Sequence, residues 1–155
     1  MTFTVARWWR PAKPRHHALA EAVDPAGVRR LVDTWPDLLG RGTGLTPYGD
    51  DVLCGALVTL SAVQHPDFAP LASDISAASL DERTTATSAA LLRAACEGWC
   101  IDELAWHLAA LATPDPASYA AASRRRLHAV GSSSGRGLLE GVGLVLGDRA
   151  GRVAA

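Results

Sequence analysis

The sequence predicts an all-α fold, a compact helical domain of about six helices in which two glycine-rich loops sit at helix N-termini. Three observations carry this. Apolar residues recur at three- and four-residue spacing in one segment after another, no alternating or β-branched run remains to make a strand, and proline or glycine punctuates the segments. With 155 residues, 48% of them hydrophobic, the chain can form one domain that buries about two-thirds of its unfolded surface, and is too short for two.

The elements follow in order. Residues 1–18, MTFTVARWWRPAKPRHHA, mix Trp8, Trp9, Pro11 and Pro14 with basic residues and show no period, so they read as an N-terminal arm or the remnant of a strand ahead of a domain over 19–155. Trp8 and Trp9 serve either as docking residues for another surface or as an arm packing back on the chain's own helices. Asp24-Pro25 opens a short helix with Val28, Leu31, Val32 and Trp35 at helical spacing, which Pro36 interrupts. Thr46 as N-cap and Pro47 at the first helical position start a central helix whose apolar face is Val52, Leu53, Ala56, Leu57 and Leu60. Gly49 and Gly55 admit a close neighbour there, and Pro66 closes the segment. Hydroxyl residues lead a helix from Thr84 to Glu97 that Gly98 ends. Asp102 caps the next, with Leu104, Leu108 and Leu111 inward, and Pro114 and Pro116 end it. The last two helices span 118–130 and 134–146, joined by a Gly-Ser loop.

Composition excludes several functions. The net charge of −1 and a pI near 6.5 provide no field to draw nucleic acid or an anionic membrane. Lys13 is the only lysine; arginine favours bidentate carboxylate or phosphate contacts, although a GC-rich genome gives the same bias. No stretch reaches the roughly 18 apolar residues of a membrane span, and no signal-peptide pattern opens the chain, so a cytoplasmic location is expected. Cys54, Cys96 and Cys100 are an odd set without a disulfide framework, which agrees with a reducing compartment.

The chemistry concentrates in GRGTGLTPYGDDVLCGALVTL, residues 40–60. Gly40, Gly42 and Gly44 can take positive φ, so the loop brings backbone close to a ligand at a helix N-terminus, with Gly42, Thr43, Gly44 and Thr46 as binding residues. Asp50 and Asp51, in the opening turn, either stabilise the helix dipole by about 0.3 to 1 kcal/mol each or bind the ligand. Neighbouring helical residues point about 100° apart, so one carboxylate aims into a pocket and the other supports it or faces a partner. Asp50 takes the catalytic role in this reading. A bare phosphate would be repelled, so an anionic ligand needs a divalent cation such as Mg²⁺ on Asp50 and Asp51; otherwise the pair accepts hydrogen bonds from an amide or ammonium group.

The loop from Gly131 to Gly135 has the opposite character. Ser132, Ser133, Ser134 and Gly135 offer hydroxyls and helix N–H groups for an anion, with Arg136 adjacent as the second catalytic candidate; the alternative is an ordinary capped turn with Arg136 in solvent. Both loops around one cleft would give an acceptor end and a donor end. That polarity suits a small anionic or carbamoyl-bearing ligand, whose NH₂ lies beside a phosphate or carboxylate.

Other motifs are weak. GSSSG matches the nucleophile-elbow pattern at Ser133, yet the preceding SRRRLHAV reads as helix and the last histidine is His128, upstream. The glycine loop lacks the Gly-Lys-Ser/Thr ending of a phosphate loop and the preceding strand of a dinucleotide fingerprint. Cys96 and Cys100 share an i, i+4 spacing that Gly98 interrupts, so they read as buried small residues rather than metal ligands. His16-His17 and His107 read as surface or satisfied histidines, and Arg124 to Arg126 as a solvated face or a contact for an acidic partner.

The residues Gly40 to Leu60 resemble the G-x-G-x-G-L-T-P-x-G-D-D-x-L-x-G signature of the AllH family, named for a subunit of the oxamate carbamoyltransferase of allantoin catabolism. RTTATSAALLRAACEG (83–98) is similar to that family's Thr/Ser-led helix, and GSSSGRGLLEG (131–141) to its Ser-Gly block. Two positions depart from the pattern: Tyr48 replaces a small residue, and Gly137 an acidic one. The resemblance implies a carbamoyltransferase subunit that exchanges a carbamoyl group between oxamate and carbamoyl phosphate, with an acyl-CoA-synthetase-like subunit and a further subunit as partners. Longer members carry an additional N-terminal region that this sequence lacks. The rival expectation is a non-catalytic ligand-binding or assembly module whose glycines mainly pack helices.

Overall fold

A computed structural model describes residues 12–113 and 117–147; residues 1–11, including Trp8 and Trp9, lie outside it, as do Pro114 and Pro116. The all-α expectation holds. Among the described residues, eight α-helices follow a 3-10 turn at His17–Ala22: α1 (Pro25–Leu38), α2 (Tyr48–Ala62), α3 (Phe68–Ser76), α4 (Leu80–Arg83), α5 (Ala86–Cys96), α6 (Asp102–Leu111), α7 (Ala117–His128) and α8 (Ser134–Leu146). Ala12 pairs with Cys100 in an isolated antiparallel bridge, and the His16 N–H donates to Ala62 O at 2.8 Å, which lays residues 12–16 across the far end of α2.

The central element is α2. All of its residues except Tyr48 and Ser61 are buried, so it has no solvent face rather than the single apolar stripe that Val52, Leu53, Ala56, Leu57 and Leu60 suggest. Helix α8 lies against one side of it, α5 against another, while α1 and α3 complete the shell and α6 pairs with α7. The α2–α8 approach is set by missing side chains. A β-carbon on Gly55 would stand 2.2 Å from Leu138 O, and one on Gly141 would stand 2.1 Å from Val52 O. Backbone thus meets backbone, bringing the N-terminal turns of both helices together at one end of the crossing.

Several helix limits differ from expectation for local reasons. Helix α1 passes through Pro36 to Leu38, because a proline two residues from the end removes only one ladder donor, and Asp24 caps its start by accepting the Ala26 N–H at 3.0 Å. Helix α3 was not anticipated: Pro70 is its third residue, where a missing N–H costs nothing. Thr85, rather than Thr84, caps α5, accepting the Ser88 N–H at 3.1 Å. Asp102 is the first residue of α6, and Ile101 occupies its N-cap without a side-chain hydrogen bond.

Of the two placements expected for His107 of α6, surface or satisfied, the structure shows a buried ring that is hydrogen-bonded on one side only. Its Nδ1 lies 2.9 Å from Ser123 Oγ, and that hydroxyl donates to Ala120 O at 3.0 Å. Ser123 therefore accepts from Nδ1, so Nε2 is an unprotonated acceptor, buried without a hydrogen-bond partner. Burial, helped by the charge of Arg124, lowers the His107 pKa to about 4. The unfolded chain takes up a proton near pH 6.5 and the folded chain does not until about 4. This group's stabilising contribution is therefore complete above pH 6.5 and declines as pH falls toward 4.

Candidate functional site

The glycine loop before α2 is held at both flanks. The Arg41 N–H donates to Leu38 O at 2.9 Å and the Gly49 N–H to Arg41 O at 2.8 Å, which folds the loop onto the start of α2. Gly40 has φ +74°, and a β-carbon there would stand 2.2 Å from Arg83 O, so both conformation and space require glycine. Its N–H donates to Asp50 Oδ1 at 2.7 Å, while the Thr84 hydroxyl donates to Asp50 Oδ2. The Thr85 hydroxyl donates to Leu45 O. The 83–85 segment thus clamps the glycine loop, with the fully buried Asp50 as its bolt.

Helix α2 starts one residue later than Thr46 as its cap would require. Pro47 occupies the N-cap without a side-chain bond, and the Thr46 hydroxyl turns to Ser134 Oγ, 2.8 Å away. Ser134 is the first residue of α8, so this contact joins the two loops. Gly137 makes the join close, since a β-carbon there would stand 2.6 Å from the Asp51 β-carbon and 3.2 Å from Tyr48 O. An acidic residue at 137 has no room beside α2 in this packing. One turn further along, the Tyr48 hydroxyl donates to Glu140 Oε2 and ties the exposed edge of the same junction. Burial, then the hydrogen bond to Glu140, pushes the Tyr48 pKa up to about 12, so the phenol stays protonated.

Behind the junction lies a cavity of about 210 Å³. Thr46, Asp51 and Ser134 form its polar end; the walls come from Cys54 and Val58 of α2, Leu91, Ala94 and Ala95 of α5, Trp99 to Ile101, Leu104 of α6, Val130, and Leu138 of α8. Asp51 is 4% exposed, and its Oδ2 is buried without a hydrogen-bond partner. Desolvation raises its pKa to about 6; the Ser134 hydroxyl opposes this, the neighbouring Asp50 charge adds to it, and the Thr46 hydroxyl opposes it. A buried acceptor without a donor, at the end of an open space, can receive a hydrogen bond from something that enters.

The residues singled out in the sequence separate into groups. Thr46, Asp51 and Ser134 line the cavity together. Asp50 points the other way, into the Gly40–Thr84 clamp. Gly42, Thr43 and Gly44 are exposed on the loop, Ser132 is exposed, Ser133 half-buried, and Gly135 buried with its N–H donated to Val130 O at 2.9 Å. Arg136 is exposed outside the lining, close enough to Tyr48 for its charge to be felt there. Thr84 and the apolar walls carried no site signal, although RTT at 83–85 stood in one of the three resembling blocks. A divalent cation does not fit the donor set: both Asp50 oxygens already accept protein donors, which leaves Asp51 alone, and the described residues hold no group of three potential ligands.

Asp51 also leaves a signature in stability. Its folded pKa of about 6 lies above the ordinary 3.8, so the folded state binds the proton more tightly and stability falls as pH rises through that interval. The His107 contribution runs in the opposite sense between pH 4 and 6, so the two slopes offset in the native chain. Chemical denaturation across pH 4 to 7 should give Asp51→Asn a stability that rises with pH, and His107→Gln one that falls. The two curves should diverge by a few kcal/mol, about 1.4 per unit of each shift.

Comparison with known proteins supplies one match. The family described as oxamate carbamoyltransferase subunit AllH matches residues 38–146. That interval holds the glycine loop, the 83–85 clamp that fixes it and the Ser134 turn that meets it. No curated protein and no solved structure matches the chain. No helix among the described residues is long and apolar enough to cross a membrane.

Proposed function

The chain belongs to the AllH family, and on that footing we propose that it is a subunit, or a relative of a subunit, of an oxamate carbamoyltransferase, with its ligand site in the cavity headed by Asp51. The carbamoyl NH₂ of the substrate donates to Asp51 Oδ2. The N-terminal turns of α2 and α8 flank the site through Thr46 and Ser134, where their partial positive ends can stabilise negative charge developing on the carbamoyl oxygen. Binding of this kind orients the carbamoyl group; the anionic remainder of carbamoyl phosphate or oxamate extends toward Ser133, Arg136 and a partner subunit. Transfer requires that partner, because the cavity holds no nucleophile of lowered pKa: burial raises both Cys54 and Cys100. Allantoin breakdown is the pathway this reading implies.

The observation that supports it is the orphaned Asp51 Oδ2 between Thr46 and Ser134. A second reading, a helix-packing module without catalysis, draws on Gly55, Gly137 and Gly141, all of which are spent on the α2–α8 contact. Thermal unfolding with carbamoyl phosphate or oxamate separates the two. Saturation at 100 times Kd should stabilise the native chain by about 2.7 kcal/mol, and Asp51→Leu should abolish the shift. Equal shifts in both proteins, or none in the native chain reconstituted with its partner subunits, would favour the packing module.

A further inference from the structure

The polar end of the cavity is small and the rest is not polar at all. Beyond Thr46, Asp51 and Ser134, the lining is hydrocarbon, an indole and two thiols, and no arginine, lysine or histidine belongs to it. Burial raises the pKa of Cys100 to about 12 and that of Cys54 well above the ordinary thiol value, so both thiols are neutral and behave as apolar wall. Lys13 stacks over the Trp99 ring, its Nζ 5.5 Å from the centroid, and is not part of the lining. An anion inside would meet Asp51 and lose its hydration without a counter-charge. A hydrocarbon chain would displace water from apolar wall.

We propose that the cavity binds molecules with an N–H-donating head, a carbamoyl amide or an amine, on an apolar body, the head on Asp51 Oδ2 and the body along Val58, Leu91 and Leu104. This rests on the functional reading for Asp51 as the ligand-facing carboxylate and adds a ligand class beyond oxamate and carbamoyl phosphate: a carbamoyl acceptor with an apolar body. Oxamate and carbamoyl phosphate fill only the polar end.

Calorimetric titration of the full chain at pH 8 with butanamide, pentanamide, hexanamide, pentylamine and hexanoate tests this. Affinity should rise about fourfold per methylene along the amides until the cavity is full, and hexanoate should bind at least about tenfold more weakly than hexanamide. Ala94→Leu, which fills the cavity from a half-buried position, should abolish hexanamide binding with cooperative unfolding retained; Leu91→Phe is the second filling variant. Tighter binding of the amide identifies a carbamoyl head and tighter binding of the amine an ammonium head, and either upholds the proposal. Hexanoate binding as well as hexanamide, affinity independent of chain length, or undiminished binding in both folded filling variants would overturn it. Hexanamide binding without carbamoyl transfer in the reconstituted complex would instead remove the functional reading alone.

Discussion

Gly141→Ala is expected to destabilise the protein by about 3 to 5 kcal/mol, a large effect for one methyl group. The reason is that the new β-carbon would meet backbone, standing 2.1 Å from Val52 O and 2.6 Å from Ala56 N. Neither atom belongs to a flexible side chain that can rotate away, so α8 must lift from α2 along its length. For a chain of this size, each kcal/mol lowers the melting temperature by about 2 to 4 °C, and a fall of at least about 6 °C should appear in thermal denaturation. Gly143→Ala, two residues along the same helix, is the control. A β-carbon there has nothing within 4 Å, so alanine should leave stability unchanged or raise it by up to about 1 kcal/mol through helix propensity. Comparable losses at both positions would mean that α8 does not meet α2 through Gly141.

Asp50→Ala is expected to cost about 2 to 4 kcal/mol, because it leaves the Gly40 N–H and the Thr84 hydroxyl without their acceptor in a buried place. Asp50→Asn should cost less, since the amide oxygen can still accept from Gly40 and the amide nitrogen can donate to Thr84. Thr84→Val should lose part of the same energy, and the double variant Asp50→Ala/Thr84→Val should fall short of the sum, as expected for two members of one hydrogen-bonded unit. Denaturant unfolding of the four proteins measures this. Additive losses would show that Asp50 and Thr84 act independently. Adding Asp51→Asn to the series should distinguish the adjacent carboxylates: changes at Asp50 are expected to act mainly on stability, and changes at Asp51 on the pH dependence and, under the proposed function, on ligand binding.

Much of the fold was legible because its signals are local. Ser134–Leu146 carries its own start in a Gly-Ser loop and its own apolar spacing, and the structure places α8 at those limits. Helix α3 was not legible, because Pro70 reads as a breaker unless the helix is known to begin two residues earlier. For the candidate site, the sequence located the two loops and the carboxylate pair, and the 100° rule implied that only one of the pair could face a pocket. Which one does so depends on where residues 83–85 pack, 34 positions away from Asp50 along the chain. No local pattern contains that. The cavity walls were illegible for a related reason: Val58, Leu91, Trp99 and Leu104 look like any core positions until the helices are assembled around a space between them.

The central claim is that Asp51 is a desolvated carboxylate waiting for a donor in the α2–α8 cavity. Carbon-13 NMR titration of the Asp51 side-chain carboxyl, free and with saturating hexanamide, tests it directly. The account predicts a midpoint near 6 in the free protein, and a lower midpoint with the amide bound, because a hydrogen bond to the charged form favours ionisation. A midpoint in the ordinary aspartate range that the amide does not move would contradict it.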